Sequence, residues 1–323
     1  MSLPKAVLDA VDLADTDTLV RSIDGFCASR DWSELLTLRL HCQAAVERGK
    51  QLWAVDEHVR YRLALEGPAD LAADAVAEGP ARWTLGPLTE VVAQRHTWAE
   101  LEPHLPPGPE RVFVAHERAI RGEEIDPLAV DPMILEIPVA LADWEPLYPV
   151  AEYKADRAEF PSPSVSGLRP VVPVHTARLE SDPGIEALAG VVKPWIEQST
   201  GRADVVVVDG DLEAALGALG VPSPAATELD LSSALAWLGW AAASGAAHGR
   251  RRGAASGRFE TWWALAVIAD MEFPPEPDDF ADVLSEFVFH WWSDGIDEGW
   301  RLNLAITDPE IGRTWAITAI DAL

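Results

Sequence analysis

The sequence predicts an α+β or α/β protein: a helical N-terminal domain over residues 1–125, then a mixed domain over 126–323 that ends in strands. Three observations carry this reading. Up to residue 125, apolar residues recur at helical spacing between capping residues and glycines. Between 126 and 175 the chain is broken by Pro127, Pro132, Pro138, Pro146, Pro149, Pro161, Pro163, Pro170 and Pro173, so helices cannot dominate there. Beyond 203, a valine run and later aromatic, alternating segments read as strands separated by helices.

The elements follow in order. Residues 17–29 form the first expected helix. A stronger one spans 33–48: Ser33 is placed to cap it, Leu35, Leu36, Leu38 and Val46 supply an apolar face, and Gly49 ends it. Helices follow over 54–66, stopped by Gly67, and over 68–78, with Pro68 in its first turn and Gly79 after it. Shorter helices are expected over 88–94 and 110–121. Short helices on short loops build antiparallel pairs, a repeat-like arrangement, although the sequence has no fixed repeat period.

The proline-rich stretch 126–175 connects the two domains. Residues 133–141 read as a short strand or an extended linker, 151–160 as undecided, and 168–176 as an edge strand, because proline cannot serve a central ladder on both sides. Val205, Val206, Val207 and Val208 have the form of a buried strand. Asp209, Gly210 and Asp211 follow it, then a helix over 212–219 that Gly220 can stop. This is a strand–turn–helix unit of a sheet covered by helices. A helix over 231–247 capped by Asp230, and another over 259–269, come next. Pro274, Pro275 and Pro277 force an extended segment, and 279–286 is a short helix. The last strands are 287–292, 300–306 and 314–320, the third also suiting a helix. Trp300, Leu302, Leu304 and Ile306 share one face of the second.

Charge excludes some functions. The formal net charge is −28, and only four lysines occur, at Lys5, Lys50, Lys154 and Lys193. Such a surface disfavours nucleic acid and anionic membranes, which demand many cations. No signal-like or membrane-length apolar run is present, and the two cysteines, Cys27 and Cys42, make no disulfide framework. The expectation is a cytoplasmic protein.

Against this acidity stands His248–Trp263, HGRRRGAASGRFETWW. It carries Arg250, Arg251, Arg252 and Arg258, and no Asp or Glu lies between Asp230 and Glu260. Gly249, Gly253 and Gly257 are four apart. In a helix they make a stripe that another helix or a ligand can approach; in a loop they free N–H groups to face an anion. The four arginines offer bidentate contacts to phosphate or carboxylate, and a helix starting at Phe259 would favour the same anion. His248 can relay a proton near neutral pH. The competing reading is an interdomain clamp, with the arginines paired to the protein's own acids. The motif has neither a Walker ending nor a dinucleotide fingerprint.

Two carboxylates, Asp209 and Asp211, close the valine strand, where α/β sheets present ligand-contacting groups. They can hold a magnesium ion or orient a hydroxyl; alternatively Asp211 simply caps the next helix through Ala214. His41, Cys42, His58 and Cys27 match no strong zinc spacing, and no nucleophile elbow is present. Trp262-Trp263 and Trp291-Trp292 each aim rings in different directions, into a core and onto an interface.

Three segments, HGRRRGAASGRFETWW, RDWSELLTLRLHCQAAVERGKQLW and TWAELEPHLP, resemble an uncharacterised group of actinobacterial proteins. The resemblance covers most of the chain and implies no activity, cofactor or site residue. The expected function is a cytoplasmic module that binds an anionic small molecule or protein partner through Arg250, Arg251, Arg252 and Arg258. One alternative is an enzyme acting on a phosphorylated or carboxylated substrate, with His248 or Asp209 as acid–base group and Asp211 at a metal. The other is a scaffold whose arginines are neutralised internally.

Overall fold

A computed structural model describes residues 3–296 and 298–322. The chain divides into two compact units. The first takes the chain up to Arg118 with Leu128–Asp131 and Glu152–Glu159; the second takes Ala119–Pro127, Pro132–Ala151 and the chain from Phe160 onward.

The first unit is a run of short helices: α1 (Lys5–Leu13), α2 (Thr16–Ser29), α3 (Trp32–Glu47), α4 (Trp53–Glu66), α5 (Ala69–Ala77), α6 (Leu88–Arg95), α7 (Trp98–Leu101) and α8 (Pro109–Ile120). A two-residue-strand hairpin, β1 (Glu152–Tyr153) and β2 (Ala158–Glu159), occupies the stretch left undecided by its sequence. Helix α3 begins one residue earlier than expected. Its cap is Asp31, whose carboxylate accepts from the Glu34 N–H, and the Ser33 hydroxyl instead donates to Asp31 at 3.0 Å. A carboxylate at the cap also meets the positive end of the helix dipole, which a hydroxyl does not. Leu19, Ile23, Leu35, Leu38, Cys42 and Val59 are fully buried in one core. Arginines staple the helix ends: Arg60 donates to the carbonyls of Ala75, in the last turn of α5, and of Gly79, just past it.

The second unit is α+β. A six-stranded sheet runs in the order β3-β5-β6-β7-β8-β4, every neighbouring pair antiparallel. The strands are β3 (Arg169–Pro170), β4 (Arg202–Asp209), β5 (Ala225–Leu229), β6 (Val288–Ser293), β7 (Trp300–Asp308) and β8 (Arg313–Asp321). The helices are α9 (Pro132–Leu135), α10 (Pro183–Val191), α11 (Lys193–Glu197), α12 (Leu212–Leu219), α13 (Leu231–Ala243), α14 (Ala254–Ile268) and α15 (Pro277–Ser285). Residues 133–141, expected as a strand or linker, begin with the single turn of α9. Proline does place β3 on a sheet edge, as its missing N–H requires.

The valine strand β4 is the other edge. Its apolar character reflects burial on both faces: Val206 and Val208 pack with α12, while Val207 is covered on the opposite side. That opposite face carries α10 and α13: Gly184 of α10 lies against Trp315, and Trp237 of α13 stacks on Trp291 at 3.8 Å. The same two-sided burial removes the expected alternation in β7, where residues 302 to 306 are all buried. Helix α14 packs behind α13. A Cβ on Gly257 would lie 2.3 Å from the Gly239 carbonyl oxygen, so only glycine permits this approach.

Candidate functional site

Helix α13 ends at Ala243, four residues short of its expected end, and α14 begins at Ala254, five residues before Phe259. The arginine motif is therefore split between a loop and a helix. The loop is drawn tight at its base: the Gly249 N–H donates to the Gly245 carbonyl at 2.8 Å and the Arg252 N–H to the Ala243 carbonyl at 2.8 Å. The three glycines do three different things. Gly249 lies against the Gly245 and Pro194 carbonyls, Gly253 opens α14 at φ +93°, and Gly257 admits α13. They form no single stripe.

Arg258 belongs to the core. It is fully buried and holds an equally buried Glu145: Nε donates to Oε2 at 2.7 Å and Nη2 to Oε1 at 2.6 Å. Nη1 and Nη2 also donate to the carbonyls of Pro138 and Ala140 at 2.6 and 3.0 Å. Glu145 further accepts from Trp262 Nε1 and the Tyr148 hydroxyl. Burial pushes the Glu145 carboxyl upward, but the bond and charge of Arg258 outweigh it and hold it below the usual carboxylate range. Its expected role as an anion contact is thus corrected: no exposed surface remains on Arg258, and its donors are already engaged.

Arg250, Arg251 and Arg252 instead line a cleft of about 510 Å³ together with Lys193, Pro194, Glu197, Gln198 and Glu260. Among the described residues, the lining brings four cations and two carboxylates together. Lys193 sits 3.7 Å from Glu197, and Arg252 donates to Glu260 at 2.5 Å. The Arg251 guanidinium lies over the Phe160 ring at 4.8 Å, and the Arg250 N–H donates to Gln198 Oε1 at 3.3 Å.

The loop is anchored by a residue with no local signal in the sequence. Asp321, at the end of β8, is buried, and its carboxylate accepts from Ser199 Oγ at 2.5 Å, Thr200 Oγ1 at 2.8 Å and the Ala247 N–H at 3.0 Å. The His248 N–H donates to the same Ser199 hydroxyl. Burial pushes Asp321 upward, and its bonds from Ser199, Ala247 and Thr200 more than reverse this, holding it below the usual range. Lys193, Gln198, Glu145 and Asp321 all escape the sequence reading because each lies 50 or more residues from its arginine-motif partner.

The expected acid–base groups are not gathered at this cleft. His248 is exposed and does not line it. Asp209 sits at the far end of the sheet edge, opposite Arg313, whereas the arginine loop is tied to Asp321. Arg313 and Asp321 stand eight residue steps apart at the two ends of β8, about 26 Å at the usual rise. Asp209 is held by Arg313 at 3.1 Å, and Asp211 caps α12 by accepting from the Ala214 N–H. Among the described residues no group of three His, Cys, Asp or Glu is placed to hold a metal ion.

A model of a family of unknown function, DUF6183, matches residues 17–322, and the chain belongs to that family. No curated protein and no solved structure matches it. Among the described residues, no helix is long and apolar enough to cross a membrane.

Proposed function

We propose that this chain is a binding module that engages an anionic ligand, or an anionic group on a protein partner, through Arg250, Arg251, Arg252 and Lys193. One observation carries the reading. Among the described residues, Arg250, Arg251, Arg252 and Lys193 line one cleft together with Glu197 and Glu260, in a chain whose net charge is −28. A local positive site in an acidic molecule concentrates field and selects anions small enough to enter it. The volume lies within the ordinary span of small-molecule sites. The acidic surface elsewhere disfavours nucleic acid as the partner. We place the protein in the cytoplasm: Cys27 and Cys42 are free, buried thiols, which suits a reducing compartment.

Isothermal titration with a panel of anions tests the reading. The native chain binds at least one of them, and the Arg250→Ala/Arg251→Ala variant loses tenfold or more in affinity. Equal binding by the two proteins, or no binding of any anion by the native chain, refutes it.

A further inference from the structure

We infer that Trp53, Glu57 and Trp83 of the first unit form a site for a quaternary ammonium group, separate in kind and in residues from the arginine cleft. Tryptophan is a residue that folds largely bury. Among the described residues, only Trp53 and Trp83 of the tryptophans stand more than half exposed, at 51% and 60%. One carboxylate joins them. Trp53 opens α4 and Glu57 lies one turn further on, so the two share a helix face. The Trp83 N–H donates to Glu57 Oε2, which sets that residue beside the same carboxylate. The segment carrying Trp83 is held on both sides. Ala81 is buried, the Thr84 hydroxyl donates to the Gly86 carbonyl at 2.8 Å, and Gly86 lies so close to Tyr153 that a Cβ there would clash with its hydroxyl. Arg82, Trp83 and Leu85 between them are left exposed.

The chemistry selects a cation. Indole faces carry negative potential, Glu57 adds a carboxylate, and a net charge of −28 draws cations to the chain. Trp83 already holds one: the Arg82 guanidinium lies 5.5 Å from its ring centroid. The supply of acceptors narrows the class. A primary ammonium brings three donors and a strong hydration shell, while Glu57 Oε2 is engaged by the Trp83 N–H. A quaternary ammonium has no N–H to satisfy, so ring faces and a nearby negative charge suffice. A sugar, rich in hydroxyls, meets the same shortage of partners. The exposed aromatic area is too small for a protein interface. At about 250 Å² for a whole tryptophan side chain, the two offer about 280 Å², against about 800 Å² per partner in a standard interface.

Ligand-observed NMR titration of the full chain tests the site with four probes: choline, its uncharged isostere in which carbon replaces the ammonium nitrogen, butylamine and methyl glucoside. Choline is expected to bind in the millimolar range, about fivefold or more tighter than each of the others. Trp53→Leu and Trp83→Leu each reduce choline affinity about fivefold or more with an unchanged urea midpoint, because both side chains are exposed. Glu57→Gln keeps an acceptor for the Trp83 N–H and reduces affinity about threefold. Arg82→Ala removes a competing cation and leaves choline binding equal or tighter. Equal binding of choline and its isostere, or loss of binding in Arg82→Ala, overturns the cation assignment. Butylamine or methyl glucoside matching choline overturns the quaternary class. Choline that fails to bind the native chain, or binds both tryptophan variants undiminished, overturns the site itself.

Discussion

Replacing Arg258 by Met tests whether the motif's fourth arginine is a core clamp. Arg258 and Glu145 have no exposed side-chain surface, and two charge-assisted bonds join them. Methionine retains the apolar stem and removes every donor. Glu145 then stays buried beside Trp262 and Tyr148 without its counter-charge, and the Pro138 and Ala140 carbonyls lose their partner. Breaking a buried pair from one side costs about 3–5 kcal/mol, mostly the penalty of the stranded charge. Urea unfolding followed by tryptophan fluorescence reads this, since ten of the fourteen tryptophans lie in the second unit. With a slope of about 2 kcal/mol per molar urea, the midpoint of that unit should fall by about 2 M. Adding Glu145→Gln removes the stranded charge and should recover about half of the loss. The pH dependence has a definite sign. The folded Glu145 is held below its unfolded range, so the pair's stabilisation is present above the ordinary carboxylate pKa of about 4.3 and is lost as pH falls through the depressed folded value. The gap between native and Arg258→Met proteins should therefore close in acid. A loss under about 1 kcal/mol at pH 7 would refute the clamp, because surface arginines cost no more than that.

Three further outcomes are expected. Asp321→Asn removes the carboxylate that positions the arginine loop. Amide hydrogen exchange over residues 245–252 should quicken; unchanged exchange would show that Asp321 does not hold the loop. Because Asp321 is held below its usual range, the native loop should loosen only as pH falls through that depressed value. Gly257→Ala drives a methyl into the Gly239 carbonyl, 2.3 Å away, and should cost about 1–3 kcal/mol in urea unfolding with little change in the cleft; a neutral result would mean that α13 and α14 are not in close contact. Cys27 and Cys42 are pushed up to about 11 and about 12 by burial, so both should resist a thiol-specific disulfide reagent at pH 8 until the protein is unfolded, and immediate labelling would contradict their burial.

Much of the fold was legible because its signals are local. Helices α2 to α6 and α8 of the first unit follow from spacing, caps and glycines, α1 lay outside the expected helices, and the Asp211 and Asp230 caps lie where their sequence places them. Proline kept β3 on an edge for a reason internal to the residue. The valine run announced a buried strand and left its place in the sheet open, because an apolar strand reports how many of its faces are covered and carries no information about its neighbours. Strand β4 is covered twice and still ends the sheet. With no parallel neighbour there is no switch point, and Asp209 and Asp211 lose the argument that made them ligand candidates.

The arginine motif divides along the same line. Its sequence alone determined that a dense positive charge had to be accommodated in an acidic chain, since no acid lies within ten residues before Arg250. Only the tertiary structure decided how. It sends Arg258 into the core with Glu145, 113 residues away, and turns Arg250, Arg251 and Arg252 toward Lys193 and Gln198 across a cleft. The physical reason is range. Caps, turns and periodicity act over a few residues and are written locally, whereas the partner of a charge is whichever group the folded chain brings within a few ångströms of it.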